Sequence, residues 1–146
     1  MGDRVSSELA QLLSERKLVR ARINRNMIVK EIKGAEQDLR DAKDSLECRK
    51  FKWATIQGYY SMFHSARALL YDLGLREKSH YAVLVALREL FSGKLDRDLT
   101  GAFERAMELR QEADYGLTFS EEGAADTVEG AGKFLQKAKQ LLAIRQ

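Results

Sequence analysis

Proline is absent from all 146 residues. Proline breaks helix interiors and marks loops and strand edges. Its absence, beside abundant Ala, Leu, Glu, Lys and Arg, predicts an all-α protein. Cys48 is the only cysteine, which excludes an intrachain disulfide and accords with a reducing, cytoplasmic setting. His64 and His80 are the only histidines. With one cysteine and no ligand spacing they make no zinc site, and neither a metal nor a cofactor is expected. No apolar run approaches the ~18 residues of a membrane span, and Met1 to Arg4 begin no signal-peptide core. A Walker-type glycine loop, a Ser–His–Asp nucleophile context and internal repeats are also lacking.

What is present is a globular balance of 45% hydrophobic and 32% charged residues. The length suits a single domain over residues 1–146 with one core, its first 17 residues reading as an N-terminal extension. The net charge of +3 conceals an asymmetry. Seven basic residues (Arg16, Lys17, Arg20, Arg22, Arg25, Lys30, Lys33) stand against Glu31 alone, whereas residues 101–129 hold eight acids against Arg105 and Arg110. The basic run reads either as a contact for RNA phosphates or as a solvated helix face.

Apolar spacing predicts an up-and-down bundle of about five helices. A short amphipathic segment, Ser6–Ser14, precedes a long helix from Leu18 to Cys48. That helix repeats Ile28, Ile32, Ala35, Leu39, Ala42 and Leu46 as a heptad seam. A second helix runs from Lys50 to Leu73 and stops at Gly74. Arg76 to Lys78 then form a loop. Ser79, Asp96 and Ser120 read as N-caps of three further helices: His80–Phe91, one ending near Ala113, and one buried along Val128, Leu135 and Leu142. No period-2 segment is evident.

On the second helix Tyr60, His64, Arg67 and Tyr71 fall at spacings of four, three and four, a polar stripe on one face of an apolar helix. Its aromatics could stack bases or pack in a core or dimer interface. His64 could bind a nucleotide, or serve structurally by bonding Tyr115 or Asp114. Arg110 and Asp114 are i,i+4 neighbours able to pair and to clamp the fourth helix onto the second. The candidate polar cluster is thus Tyr60, His64, Arg67, Arg110, Asp114 and Tyr115.

The run Tyr59-Tyr60-Ser61-Met62-Phe63-His64-Ser65-Ala66-Arg67-Ala68-Leu69-Leu70 is followed by Gly74 and Lys78-Ser79-His80. Arg110 with Ala113-Asp114-Tyr115-Gly116 and Ser120-Glu121-Glu122 come later. In this order, over about Glu31 to Leu142, they resemble the HEPN domain family, especially its small stand-alone prokaryotic members. The resemblance implies a bundle of four or five helices, usually dimeric. It also implies RNA- or nucleotide-directed function: a metal-independent endoribonuclease toxin, or a non-catalytic module beside a minimal nucleotidyltransferase antitoxin. The family's ribonuclease signature is an Arg followed after four to six residues by His. Here Arg76 and His80 have three residues between them, a departure from that motif. The resemblance makes these two the candidate catalytic pair. Cleavage of RNA without metal needs proton transfer, which suits His, and charge stabilisation at phosphate, which suits Arg. In a homodimer two such motifs can share one site. Three readings stay open: an endoribonuclease using Arg76 and His80, a binding module using His64, Arg67 and Asp114, and a structural dimer whose polar cluster specifies packing.

Overall fold

A computed structural model describes residues 7–145. Met1 to Ser6, including the expected start of the first segment and the leader reading, lie outside the described residues. Six helices order as α1 (Ser7–Ser14), α2 (Arg25–Glu47), α3 (Phe51–Asp72), α4 (His80–Leu90), α5 (Arg97–Asp114) and α6 (Glu121–Leu141). Two three-residue strands, β1 (Leu18–Arg20) and β2 (Leu75–Glu77), interrupt them. The expected helical bundle is therefore present, with one small addition.

That addition corrects two expectations. Leu18 to Arg20 form a strand rather than the first turns of the long helix, and the Arg76–Lys78 loop is partly strand. They pair antiparallel, Leu18 opposite Glu77 and Val19 opposite Arg76. The backbone explains why: Arg16 sits at φ 59, which turns the chain sharply out of α1. Asn24 then begins α2 by accepting a hydrogen bond from the Met27 N–H at 3.0 Å. Three residues are too few to show a period in sequence.

The remaining caps follow the expectation. Ser79, Asp96 and Ser120 accept from the N–H groups of Ala82, Leu99 and Gly123 at 3.1, 2.9 and 2.9 Å. Gly74, at φ +73, closes α3 in the left-handed conformation that glycine adopts without strain.

α3 is the axis of the bundle, packed by α2, α6 and α5. It is buried nearly all round, with Tyr59, Ala66, Ala68 and Leu70 fully enclosed. A Cβ at Gly58 would stand 2.9 Å from Cγ2 of Thr127, so that glycine lets α3 and α6 touch. The half-exposed positions of α3 beyond its first turn are Gln57, Tyr60, His64 and Arg67. The polar stripe is thus the seam where α3 reaches the surface. The heptad residues of α2 behave as expected: Ile28, Ile32, Ala35 and Ala42 are buried and Leu39 is half-buried against them.

Candidate functional site

The stripe and the start of α4 form one continuous polar region with three parts. The first is a clamp of opposite charges. The Arg67 guanidinium donates from Nε and Nη2 to both carboxylate oxygens of Glu77, at 3.2 and 2.9 Å, and from Nη1 to Glu31 at 3.2 Å. His64 Nδ1 lies 2.8 Å from the same Glu31 oxygen, and its Nε2 lies 3.5 Å from Asp38. Burial pushes the Glu31 carboxyl up, but the His64 hydrogen bond and the Arg67 charge outweigh it and hold it below its ordinary value. Burial likewise works against Arg67, and Glu77 more than compensates. The expectation that His64 bonds Tyr115 or Asp114 is corrected: its partners, Glu31 and Asp38, come from α2, and within the stripe it is Tyr60 that meets α5.

The second part is a ring stack. His80 lies over Phe63 with centroids 4.3 Å apart and planes at 21°. Its Nδ1 shares a 2.6 Å hydrogen bond with the Tyr59 hydroxyl. Burial raises the Tyr59 phenol well above the ordinary tyrosine range, so it keeps its proton. Burial, then the positive charge of Arg110, lowers His80 from its ordinary value, with Glu77 opposing. The imidazole is therefore neutral at neutral pH. Among the described residues Nε2 has no partner, and it is not one of the enclosed polar atoms.

The third part is Arg110. Its Nη2 donates to the Tyr60 hydroxyl at 2.7 Å and forms the expected i,i+4 ion pair with Asp114 at 3.8 Å. The guanidinium lies 5.8, 5.3 and 5.6 Å from the ring centroids of Tyr59, Tyr60 and Tyr115. The expected clamp of α5 onto α3 exists, but it runs through Tyr60 and cation–π contact rather than through Asp114. Tyr115 is 75% exposed, and Asp114 belongs to this end of the region, apart from the His64 partners. The proposed cluster of His64, Arg67 and Asp114 is therefore divided.

Arg76 and His80 are brought together. They line an open cleft of about 380 Å³ with Arg67, Tyr71, Glu77, Lys78 and Ser79. β2 carries Arg76, and the Ser79 cap fixes the first turn of α4, which begins with His80. Among the described residues no group of His, Cys, Asp and Glu is arranged to hold a metal ion, and no helix is long and apolar enough to cross a membrane. Sequence reasoning missed Glu31, Asp38 and Glu77 as the partners of the stripe. One signal was available: Glu31 is the lone acid within the basic run.

Comparison with known proteins shows which family the chain resembles. The model of the HEPN domain matches residues 29–145. A protein named "UPF0332 protein" from Archaeoglobus fulgidus is 34% identical over 112 residues, covering 74% of this chain and 89% of the relative. One from Methanocaldococcus jannaschii named "Putative toxin MJ0605" is 31% identical over 111 residues, covering 74% and 83%. The crystal structure of TT1696 from Thermus thermophilus superposes with TM-score 0.68 at 18% identity, over 79% of this chain and 98% of that one, a likeness of fold.

Proposed function

Because the chain belongs to the HEPN domain family, we propose that it is an RNA-directed protein acting at the cleft between α3, β2 and α4. In this reading it is a metal-independent endoribonuclease toxin. It works in the cytoplasm as a homodimer beside a minimal nucleotidyltransferase antitoxin. The observation that carries the reading is that Arg76 and His80 share one open cleft despite their short spacing. Relatives named as toxins support the biological setting.

The chemistry follows from the two side chains. Arg76 offers forked donors to the non-bridging oxygens of a phosphate, where negative charge grows during displacement. His80 Nε2 takes the proton of the ribose 2′-hydroxyl as the 2′-oxygen attacks phosphorus. The bond to the 5′-oxygen breaks, and that oxygen receives its proton from the His80 imidazolium so formed. The products are a 2′,3′-cyclic phosphate and a 5′-hydroxyl. The Tyr59 phenol both donates and accepts, so it can anchor Nδ1 in either tautomer while Nε2 gains or loses a proton. Incubation of an end-labelled RNA with the protein in EDTA tests this: cyclic-phosphate ends that vanish in His80→Ala and Arg76→Ala are expected, and the same products from His80→Ala would refute it.

A second reading has its own support. His80 is held between Phe63 and Tyr59, and the Arg–His spacing is shorter than the ribonuclease signature. A module that binds RNA or nucleotide without cutting it would use the same cleft, with His80 as a hydrogen-bond donor. It predicts no cleavage by the wild type and loss of binding in Arg76→Ala.

A further inference from the structure

The cleft does not end at β2. Pairing of β1 with β2 continues on both sides of the two strands: the Lys78 N–H donates to the Lys17 carbonyl at 2.7 Å, and the Ala21 N–H to the Gly74 carbonyl at 2.9 Å. Strand neighbours lie about 4.8 Å apart. The basic run of the N-terminal segment is thereby laid alongside the strand that carries Arg76. Arg16, Lys17, Arg20, Arg22, Arg76 and Lys78 are all exposed. None of the six forms an ion pair among the described residues, whereas Arg49, Arg67, Arg88, Arg110, Lys133 and Lys139 each do. Unpaired, outward cations on a two-stranded ribbon make a tract of positive potential rather than a salt-bridged face.

The ribbon is firmly seated. α1 buries Leu9 and Leu12, and Glu8 accepts a hydrogen bond from the Tyr81 hydroxyl at the start of α4. α1 and β1 both precede the residues that the HEPN model matches. The segment lies outside the stretch that the family model matches, placed against the proposed site.

We infer that the α1–β1 segment is a nucleic-acid-binding arm, whose cations extend the footprint of single-stranded RNA from the Arg76–His80 cleft along the β1–β2 ribbon. The inference rests on the RNA-directed reading of that cleft. A polyanion suits the tract because its cations are exposed and free of ion pairs, and Arg presents forked donors to phosphate. A protein partner suits it poorly. The cleft wall is polar, with Tyr71 its one aromatic ring beside the His80 imidazole, and offers no pocket for an apolar anchor. Of the large exposed apolar groups, Leu13, Leu73 and Tyr81 sit on α1 or at the ends of α3 and α4 near the ribbon but do not line the cleft, and Trp53, Leu117 and Phe119 lie elsewhere. Trp53 is separated from Tyr71 by the length of α3, about 27 Å at the helical rise.

The test measures binding of a fluorescent single-stranded RNA by anisotropy across salt concentrations, with thermal melting as the folding control. Four proteins are compared: wild type, an arm variant (Arg16→Gln, Lys17→Gln, Arg20→Gln, Arg22→Gln), Arg76→Gln, and a control losing equal charge elsewhere (Arg40→Gln, Lys43→Gln, Lys94→Gln, Lys137→Gln). The arm variant is expected to bind at least ~10-fold more weakly, with a log–log salt slope shallower by about 2–3, since each phosphate neutralised on a single strand contributes ~0.7. The control should fall less than about threefold. An arm variant that binds like wild type while Arg76→Gln fails overturns the arm and leaves the cleft. Equal losses in arm and control variants overturn it too, as an effect of bulk charge. Fluorescent poly-L-glutamate serves as a polyanion without phosphate. Arm-dependent binding of poly-L-glutamate with none of RNA overturns both the arm as an RNA site and the RNA reading of the cleft.

Discussion

The two histidines occupy opposite kinds of environment within one seam. His64 faces α2 with carboxylates at both ring nitrogens, Glu31 at 2.8 Å and Asp38 at 3.5 Å. His80 is held by rings and one phenol, its second nitrogen has no partner among the described residues, and it lines a cleft that Arg76 shares. A histidine whose nitrogens are both engaged has spent its hydrogen-bonding capacity on the fold. One anchored at a single nitrogen, with a lowered proton affinity and an accessible second nitrogen, keeps capacity for a ligand. The difference separates a clamp from a candidate reactive site although both share α3 as their support.

The comparison is broken most sharply by activity. His80→Ala is expected to reduce RNA cleavage at least ~100-fold, the usual contribution of a positioned proton-transfer group. His64→Ala should change it less than about threefold in folded protein, as gel-resolved initial rates would show. Stability should respond in the reverse order. Glu31→Gln strips the carboxylate that Arg67 and His64 share and is expected to cost about 1–3 kcal/mol in urea unfolding. Arg76→Gln, in the exposed cleft, should stay within ~0.5 kcal/mol.

Tyr59→Phe sharpens the contrast more finely. It removes the partner of His80 Nδ1 and is expected to cost about 0.5–1.5 kcal/mol by chemical denaturation. The smallest effect is on pH dependence. Because burial lowers His80 below 6.5 in the folded state, the unfolded chain binds more protons between the two values. Stability therefore rises with pH through that window and falls on acidification. His80→Gln should flatten this slope. Glu31, lowered from 4.5, adds stability that is lost only at more acidic pH, as its folded carboxyl takes up a proton.

Much of this was legible in the residues. The absent proline, the heptad seam of α2 and the Ser79, Asp96 and Ser120 caps led to the bundle because each is a local signal with a local cause. The polar stripe was readable for the same reason, helical spacing alone setting its face. What the stripe touches was not, since Glu31, Asp38 and Glu77 are distant in sequence or belong to another element, and periodicity carries no information about partners. The ribbon escaped because a three-residue strand has no period and its stabilisation lies in pairing between segments far apart in the chain, Leu18 with Glu77. Arg110 was placed correctly on α5 and does pair with its helical neighbour Asp114, but its closer partner, the Tyr60 hydroxyl across the interface, was not legible.

The most direct measurement follows both imidazoles by nitrogen-correlated NMR while a short single-stranded RNA is added. The account predicts that the His80 resonances move with saturation while those of His64 stay in place, and that Arg76→Gln weakens the response. Movement of His64 with His80 unchanged would contradict it and transfer the ligand to the clamp.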